Sequence, residues 1–483
     1  MRTLWTVIAA MALGLTGCTE EKTGLAAAAD AMGATNLNSI EYSGSGSLFG
    51  FGQAFLPGDP WPRFEQRNYT MSVNYQTPAM RLDSTRSQGE HPPHGGAAQP
   101  VAADQRTVTA ASGTFAWTQA GAQANPNPAA VGDRMRAMWA TPHGVIKAAM
   151  ANGGTLDGKV ISFKVEGRDF KATLNDQNLV QKVSYLSTNE VIGDYPIEIT
   201  YSDYADYGGV KFPTHIVQTD DGHPTLDVMI REVKPNAAVA LEVPANVMSA
   251  APPPASPPVQ SEKLADGVWY LNADGVRSWA VEFKDYAVAV EGIGREARSL
   301  AVNAEIAKLI PNKPLKYVIN THAHYDHAGG LRTYPAQGVI VVTQEKNKPF
   351  FEQVWARPRT IAPDLLAKEP KPLMFETVSD KKVITDGVQT LEIYWLKDSN
   401  HNGGNMVVYH PKAGLLFWGD GYNPPEGNDP RDPARTPEYG IDIYRNILAL
   451  HLNVKTIAPA HGAGAKPYEN LLKAIGVLAV DTP

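Results

Sequence analysis

Thr321-His322-Ala323-His324-Tyr325-Asp326-His327-Ala328-Gly329-Gly330 constrains the fold of this chain more than any other stretch. It reads H-x-H-x-D-H, so four side chains able to bind a metal fall within six positions. The apolar run Leu315-Lys316-Tyr317-Val318-Ile319-Asn320 before it predicts a buried strand, and Ala328 to Leu331 predicts the opening of a helix. Such a cluster belongs on a loop at the C-terminal end of a strand, where α/β proteins place their chemistry. In extended backbone, residues i and i+2 point the same way, so His322 and His324 can reach one cation. Asp326 and His327 follow where the chain turns, and can reach a second. A hydrolytic metal takes few protein ligands and keeps a position open for water.

Three more candidate ligands stand at the edges of apolar strands in the last quarter of the chain. His401 precedes Met406-Val407-Val408-Tyr409, Asp420 closes Leu415-Leu416-Phe417-Trp418-Gly419, and His461 closes Thr456-Ile457-Ala458-Pro459-Ala460. With the first cluster they make seven. The surrounding pattern alternates strands and helices. Val268–Leu271, Ser278–Phe283 and Ala287–Val290 read as strands, Arg295–Ile310 as a helix with Val302, Ile306, Leu309 and Ile310 on one face, and Val339–Thr343 as another strand. His410 reads as a turn residue and His451 as a helix residue.

The region 262–483 resembles the metallo-β-lactamase superfamily of hydrolases. The resemblance is carried by the 322–327 motif, by His401 with N-G-G-N-M-V-V-Y-H-P, by L-L-F-W-G-D ending at Asp420, and by A-P-A-H-G around His461. It implies an αβ/βα sandwich with a dinuclear metal site on one edge. By that resemblance His322, His324 and His401 hold one ion, Asp326, His327 and His461 the other, and Asp420 bridges both. Two zinc ions are the expected cofactors, with iron or manganese compatible with the oxygen ligand at Asp420. The chain departs from the family at Val290-Glu291-Gly292-Ile293-Gly294, where an aspartate often stands in place of Glu291. One subclass of true lactamases has a cysteine where this chain has Asp420, and its drug-binding lysine has no match in Gly421-Tyr422-Asn423-Pro424. The ligand set is closer to thioesterase-like and lactonase-like members.

The expected activity is hydrolysis of a small ester, thioester, lactone or amide by a metal-bound hydroxide, with Asp326 as catalytic residue and ligand. Tyr325, or the histidine and asparagine groups of 401–405, are candidates to steady an oxyanion. The alternatives are a lipid-anchored periplasmic binding protein with a structural metal, and β-lactamase or phosphodiesterase activity. The segment 345–382, rich in Lys, Pro and Phe, is expected to cover the mouth of the site.

The remainder of the chain sets the context. Its 483 residues predict two to four domains, and 43% hydrophobic with 19% charged residues fit a globular protein. A net charge of -7 disfavours nucleic acid as the partner. Residues 1–17 read as a secretory signal: Met1-Arg2 is followed by an apolar run to Leu15, too short to span a bilayer. Leu15-Thr16-Gly17-Cys18 resembles a bacterial lipobox, which implies cleavage before Cys18 and its lipidation. Thr19 rather than aspartate then points to an outer-membrane anchor facing the periplasm, in a source with two membranes. Residues 36–248 read as one β-rich region, punctuated by turn pairs, with a short helix at Val145–Ala151. Tyr201–Tyr204, Val210–Pro213 and Val233–Asn236 resemble the closing strands of periplasmic lipoprotein-carrier domains, implying a curved antiparallel sheet able to hold an apolar ligand. The overall class is therefore α+β. His91-Pro92-Pro93-His94, beside Glu90, reads as an exposed Pro/Gly-rich loop rather than a metal tract, and His143, His215 and His223 as isolated histidines. Ala251 to Pro258 reads as a polyproline linker between the halves.

Overall fold

A computed structural model describes residues 23–96, 100–427 and 429–477. The signal segment and Cys18 lie outside them. No helix among the described residues is long and apolar enough to cross a membrane.

The N-terminal half is built on a 13-stranded antiparallel sheet. Its first strand, Ser39–Phe49, pairs on one side with Arg63–Asn74 and on the other with the last, His223–Pro235. Two meanders therefore grow outward from one central pair. Chain 128–151 crosses from one edge to the other as the helices Val131–Trp139 and Pro142–Ala151. These helices and Gly24–Ala31 put Ala28, Met32, Met135, Met138, Val145 and Ile146 into the same core as Val73, Phe170, Val183, Phe212 and Val228 of the sheet. The face of the sheet under these helices is thus filled by the protein's own side chains. The sequence-predicted helix at 145–151 begins three residues earlier because Thr141 caps it, its hydroxyl accepting from the Gly144 amide, and Pro142 occupies the first turn.

The C-terminal half is a four-layer αβ/βα sandwich, as the resemblance implies. One sheet runs Gln260–Ala265, Val268–Ala273, Val276–Glu282, Ala287–Val290, Leu315–Ile319, Ile340–Gln344, Phe375–Val378, antiparallel to Ala287–Val290 and parallel from there on. The other runs Lys381–Thr385, Thr390–Trp395, Met406–His410, Leu415–Trp418, Thr456–Ile457, Lys466–Pro467. Their facing sides bury Val268, Trp279, Val288, Val290 and Ile319 against Leu391, Ile393, Met406, Val408 and Phe417, with the Trp279 and Phe417 rings edge to face at 5.4 Å. Glu296–Leu309 covers the first sheet with Val302 and Ile306, and Glu438–Ala449 covers the second with Ile443 and Ile447.

Several local expectations change. The helix after the histidine motif is Tyr325–Ala328 and ends at Gly329, so it begins inside the motif instead of after it. His410 is not in a turn: it ends the strand Met406–His410, buried, with Nε2 against Gln389 Oε1 at 2.9 Å. His451 lies past the helix Glu438–Ala449 in a left-handed turn, φ 53°.

Residues 251–258 are extended and exposed apart from Pro257, but they do not hold the halves apart. Arg359 donates to the carbonyls of Asn189, Glu190 and Val191. Asp194 accepts from the Thr360 amide and hydroxyl, and Asp221 pairs with Arg357. Through Arg357, Arg359 and Thr360, part of the segment 345–382 clamps onto the N-terminal sheet. Phe350, Gln353, Val354 and Arg357 of the same segment line a pocket with His324 and Tyr325, beside the histidine motif.

Candidate metal centre

Every candidate ligand sits just past or just before a strand at one edge of the sandwich. His322 and His324 follow Leu315–Ile319, His327 lies in the short helix Tyr325–Ala328, and His401 precedes Met406–His410. Asp420 follows Leu415–Trp418 and His461 follows Thr456–Ile457. A hydrogen bond from the Met406 amide to the Thr321 carbonyl, 2.8 Å, ties the two sheets together at this edge. Gly419 is needed here, since a Cβ would lie 2.6 Å from Thr321 Oγ1 and 2.9 Å from the His322 ring.

The side chains form two groups that share Asp420. His322, His324, His401 and Asp420 make one, and Asp326, His327, Asp420 and His461 the other, each with ligand atoms within 4.8 Å of one another. Asp420 Oδ2 lies 3.0 Å from His327 Nε2, 3.5 Å from His401 Nε2 and 3.8 Å from His322 Nε2. Asp326 Oδ2 lies 3.4 Å from His327 Nε2 and 3.5 Å from His461 Nε2. All seven predicted residues are brought together. His91 and His94 join neither group.

Hydrogen bonds at the far side of the His322 and His324 rings settle their tautomers. Thr321 donates its hydroxyl to Glu291, so it accepts from His322 Nδ1 at 3.0 Å, leaving Nε2 bare. His324 donates from Nε2 to the Ala54 carbonyl at 2.9 Å, leaving Nδ1 bare and buried with no partner. His327 turns Nδ1 to Glu291 at 3.2 Å and Nε2 to the centre. Ring nitrogens crowd one another at the centre: His401 Nε2 is 3.2 Å from His322 Nε2, and His461 Nε2 is 3.1 Å from His327 Nε2. Two lone pairs at that distance repel unless a proton or a cation lies between them. Converging bare imidazole nitrogens around two carboxylates are the donor set of a divalent metal centre, so the residues fit the ions.

Electrostatics follow the geometry. Burial, with the neighbouring imidazoles, holds His322 well below the usual histidine range. Burial also lowers His324, and lowers His401 to about 3. At His327 burial opposes charge but is outweighed by Asp326, Asp420 and Glu291, and the pKa rises. For Asp420 and Asp326 burial again opposes charge, while His327 and the other rings keep both carboxylates ionised.

Glu291 takes a role its sequence position only hinted at. It is fully buried at φ 78°, a backbone region non-glycine residues seldom occupy, and touches Thr321, Asn320 and His327. Other residues have different work from that expected. Tyr325 packs its ring against Phe51 at 5.4 Å and Phe350 at 6.2 Å, and Asn402 donates to the Ala54 carbonyl. His223, read as isolated, stacks on Trp61 beside Tyr325. Gln53 and Ala54 reach the site from the N-terminal half, and no signal in the sequence marked them.

Residues 285–461 match the sequence profile described as Metallo-beta-lactamase superfamily. That segment is a metallo-beta-lactamase superfamily domain carried in a longer chain. Members of the superfamily are mostly metal-dependent hydrolases. Among solved structures, a metallo-beta-lactamase from Pontibacter korlensis is 24% identical, covering 46% of this chain and 98% of its own at a TM-score of 0.33. FIM-1 from Pseudomonas aeruginosa, in its mono-zinc form, is 18% identical over 46% of this chain and 96% of its own, TM-score 0.36. A metallo-beta-lactamase from Hirschia baltica is 21% identical over 46% and 97%, TM-score 0.34. No curated protein matches.

Proposed function

We propose that this protein is a dinuclear-metal-dependent hydrolase of a small ester, thioester, lactone or amide. The observation that carries the reading is the pair of ligand groups joined at Asp420. Two divalent ions, zinc by the donor set, would sharpen a water as nucleophile and polarise the carbonyl it attacks. The protein's own contribution is asymmetric. His322, His324, His401 and Asp420 are at most 1% exposed, whereas the Asp326 and His461 side chains are 42% and 24% exposed. A substrate therefore enters on the side of Asp326 and His461, and Asp326 is the carboxylate placed to accept a hydrogen bond from an incoming water.

This openness favours a hydrolase over a binding protein with a structural metal, since a structural site is closed by its ligands. The test is a turnover screen of zinc-loaded protein against thioester, lactone, ester, β-lactam and phosphodiester panels, with a chelator control. Chelator-sensitive turnover of an ester-like substrate supports the reading; two bound ions with no turnover of any panel sink it.

The Leu15-Thr16-Gly17-Cys18 stretch supports a second proposal, attachment to a membrane through lipid on Cys18. Incorporation of labelled palmitate that is abolished in Cys18→Ser would bear it out, and unlabelled wild-type protein would end it.

A further inference from the structure

Most contacts between the halves lie away from the metal centre, but one turn of the N-terminal sheet touches it. Gln53 Nε2 donates to Asp326 Oδ1 at 2.9 Å, while the other oxygen of Asp326 faces His327 and His461. The carboxylate accepts only, so the amide nitrogen must be the atom that faces it. Rotation about the last bond of an aspartate is soft and roughly two-fold, and Asp326 is the most exposed of the ligands. Gln53 is what stops that rotation. Its own backbone is held at both ends, with its amide on the Gly50 carbonyl at 3.0 Å and its carbonyl accepting from Gly96 at 2.9 Å.

Nearby residues of the turn bind both ligand-bearing loops. The Tyr325 amide donates to the Gly52 carbonyl at 3.2 Å, and the Gly403 amide to the Phe55 carbonyl at 2.8 Å. Gly52 has φ 71°, and a Cβ there would fall 2.3 Å from the Tyr325 ring, so only glycine lets the turn come this close. Ala54 supplies the carbonyl that takes the His324 proton. One turn from the N-terminal half therefore gives hydrogen bonds behind a ligand of each group.

We infer that Gln53 is a positioning residue for the metal site at Asp326, which makes the N-terminal sheet an integral part of the metal centre. The inference rests on the two-metal reading above. Its test is a Co(II) titration of the full chain, followed by the visible absorption of the bound ion. Asp326→Asn identifies the spectral feature and the binding step that belong to the Asp326 site. Gln53→Met, similar in length but without a donor, and Gln53→Ala should then weaken that step by about 10- to 100-fold, the usual effect of losing a hydrogen bond behind a ligand. The other step and the thermal midpoint of the metal-free protein should not move. Unchanged binding at the Asp326 step, or equal weakening of both steps, overturns the inference. Fewer than two ions in the unaltered protein would remove the two-metal reading itself, and the inference with it, before any variant is made.

Discussion

The two ligand groups share Asp420 and lie on one edge, yet their surroundings are opposite. The His322, His324 and His401 group is sealed. The sandwich encloses it from below, and the turn at Ala54 caps His324 from above. The Asp326, His327 and His461 group has one buried ring and two partly exposed ligands. A sealed site holds its ion by rigid geometry, whereas an open site needs help to keep a mobile carboxylate aimed. The structure supplies that help from two directions, Glu291 behind His327 and Gln53 behind Asp326. The contrast assigns anchoring to the first position and access to the second.

The change that should break the comparison completely is Asp420→Asn. The residue belongs to both groups, so both ions should bind poorly, and turnover should fall by about three orders of magnitude, the scale of several kcal/mol of lost electrostatic stabilisation. Metal content by mass spectrometry, read beside turnover, checks this. Loss of a single ion would mean that Asp420 serves one position alone.

Two further variants should separate the groups more finely. Glu291→Gln weakens the partner of His327 directly and that of His322 through Thr321, so both binding steps should lose about 10- to 100-fold. Thr321→Val removes the acceptor behind His322 and leaves the Glu291 carboxylate in place behind His327, short of one donor, so the larger loss, about tenfold, should fall on the sealed site. Calorimetric zinc titration distinguishes the two patterns. If Thr321→Val affects the Asp326 step instead, the hydrogen-bond chain has been assigned to the wrong position.

The smallest expected effect concerns the cap. Asp194 helps to hold the N-terminal half in place. Burial pushes its pKa up, but the hydroxyl and amide of Thr360 and the amide of Ile361 outweigh that and hold it below the usual carboxylate range. A carboxylate depressed in the folded state stabilises above its unfolded pKa, and the benefit disappears as pH falls through the folded value. Hydrogen exchange at Thr360 and Ile361 should therefore rise, relative to neighbouring amides, as pH drops below about 4. Asp194→Asn should abolish that pH dependence. An unchanged profile would show that Asp194 does not hold this junction.

The legible part of the site was what local pattern encodes. His322 to His327 stood out because the ligands are contiguous after an apolar strand, and His401, Asp420 and His461 because each borders another. The sandwich followed from the same strands and helices, with a boundary shift where the short helix Tyr325–Ala328 begins inside the motif. The histidines at 410 and 451 were misplaced because neither carries a pattern that distinguishes a strand end from a turn, or a helix from the residue just past it. Segment 345–382 was legible as a loop-rich neighbour of the site from its composition, but the docking of its arginines on carbonyls and an aspartate of the N-terminal sheet was not.

By itself, the order of residues determined the chemistry available: seven side chains able to bind a metal, set near the ends of buried strands at one edge of a sandwich. Only the tertiary structure decided which site is sealed and which is open, and that Gln53, 273 positions from Asp326, stands behind it. The reason is physical. A ligand motif is short-range and repeats the geometry of one strand end, whereas a hydrogen bond between the two halves depends on how a whole sheet docks, and no local periodicity records that.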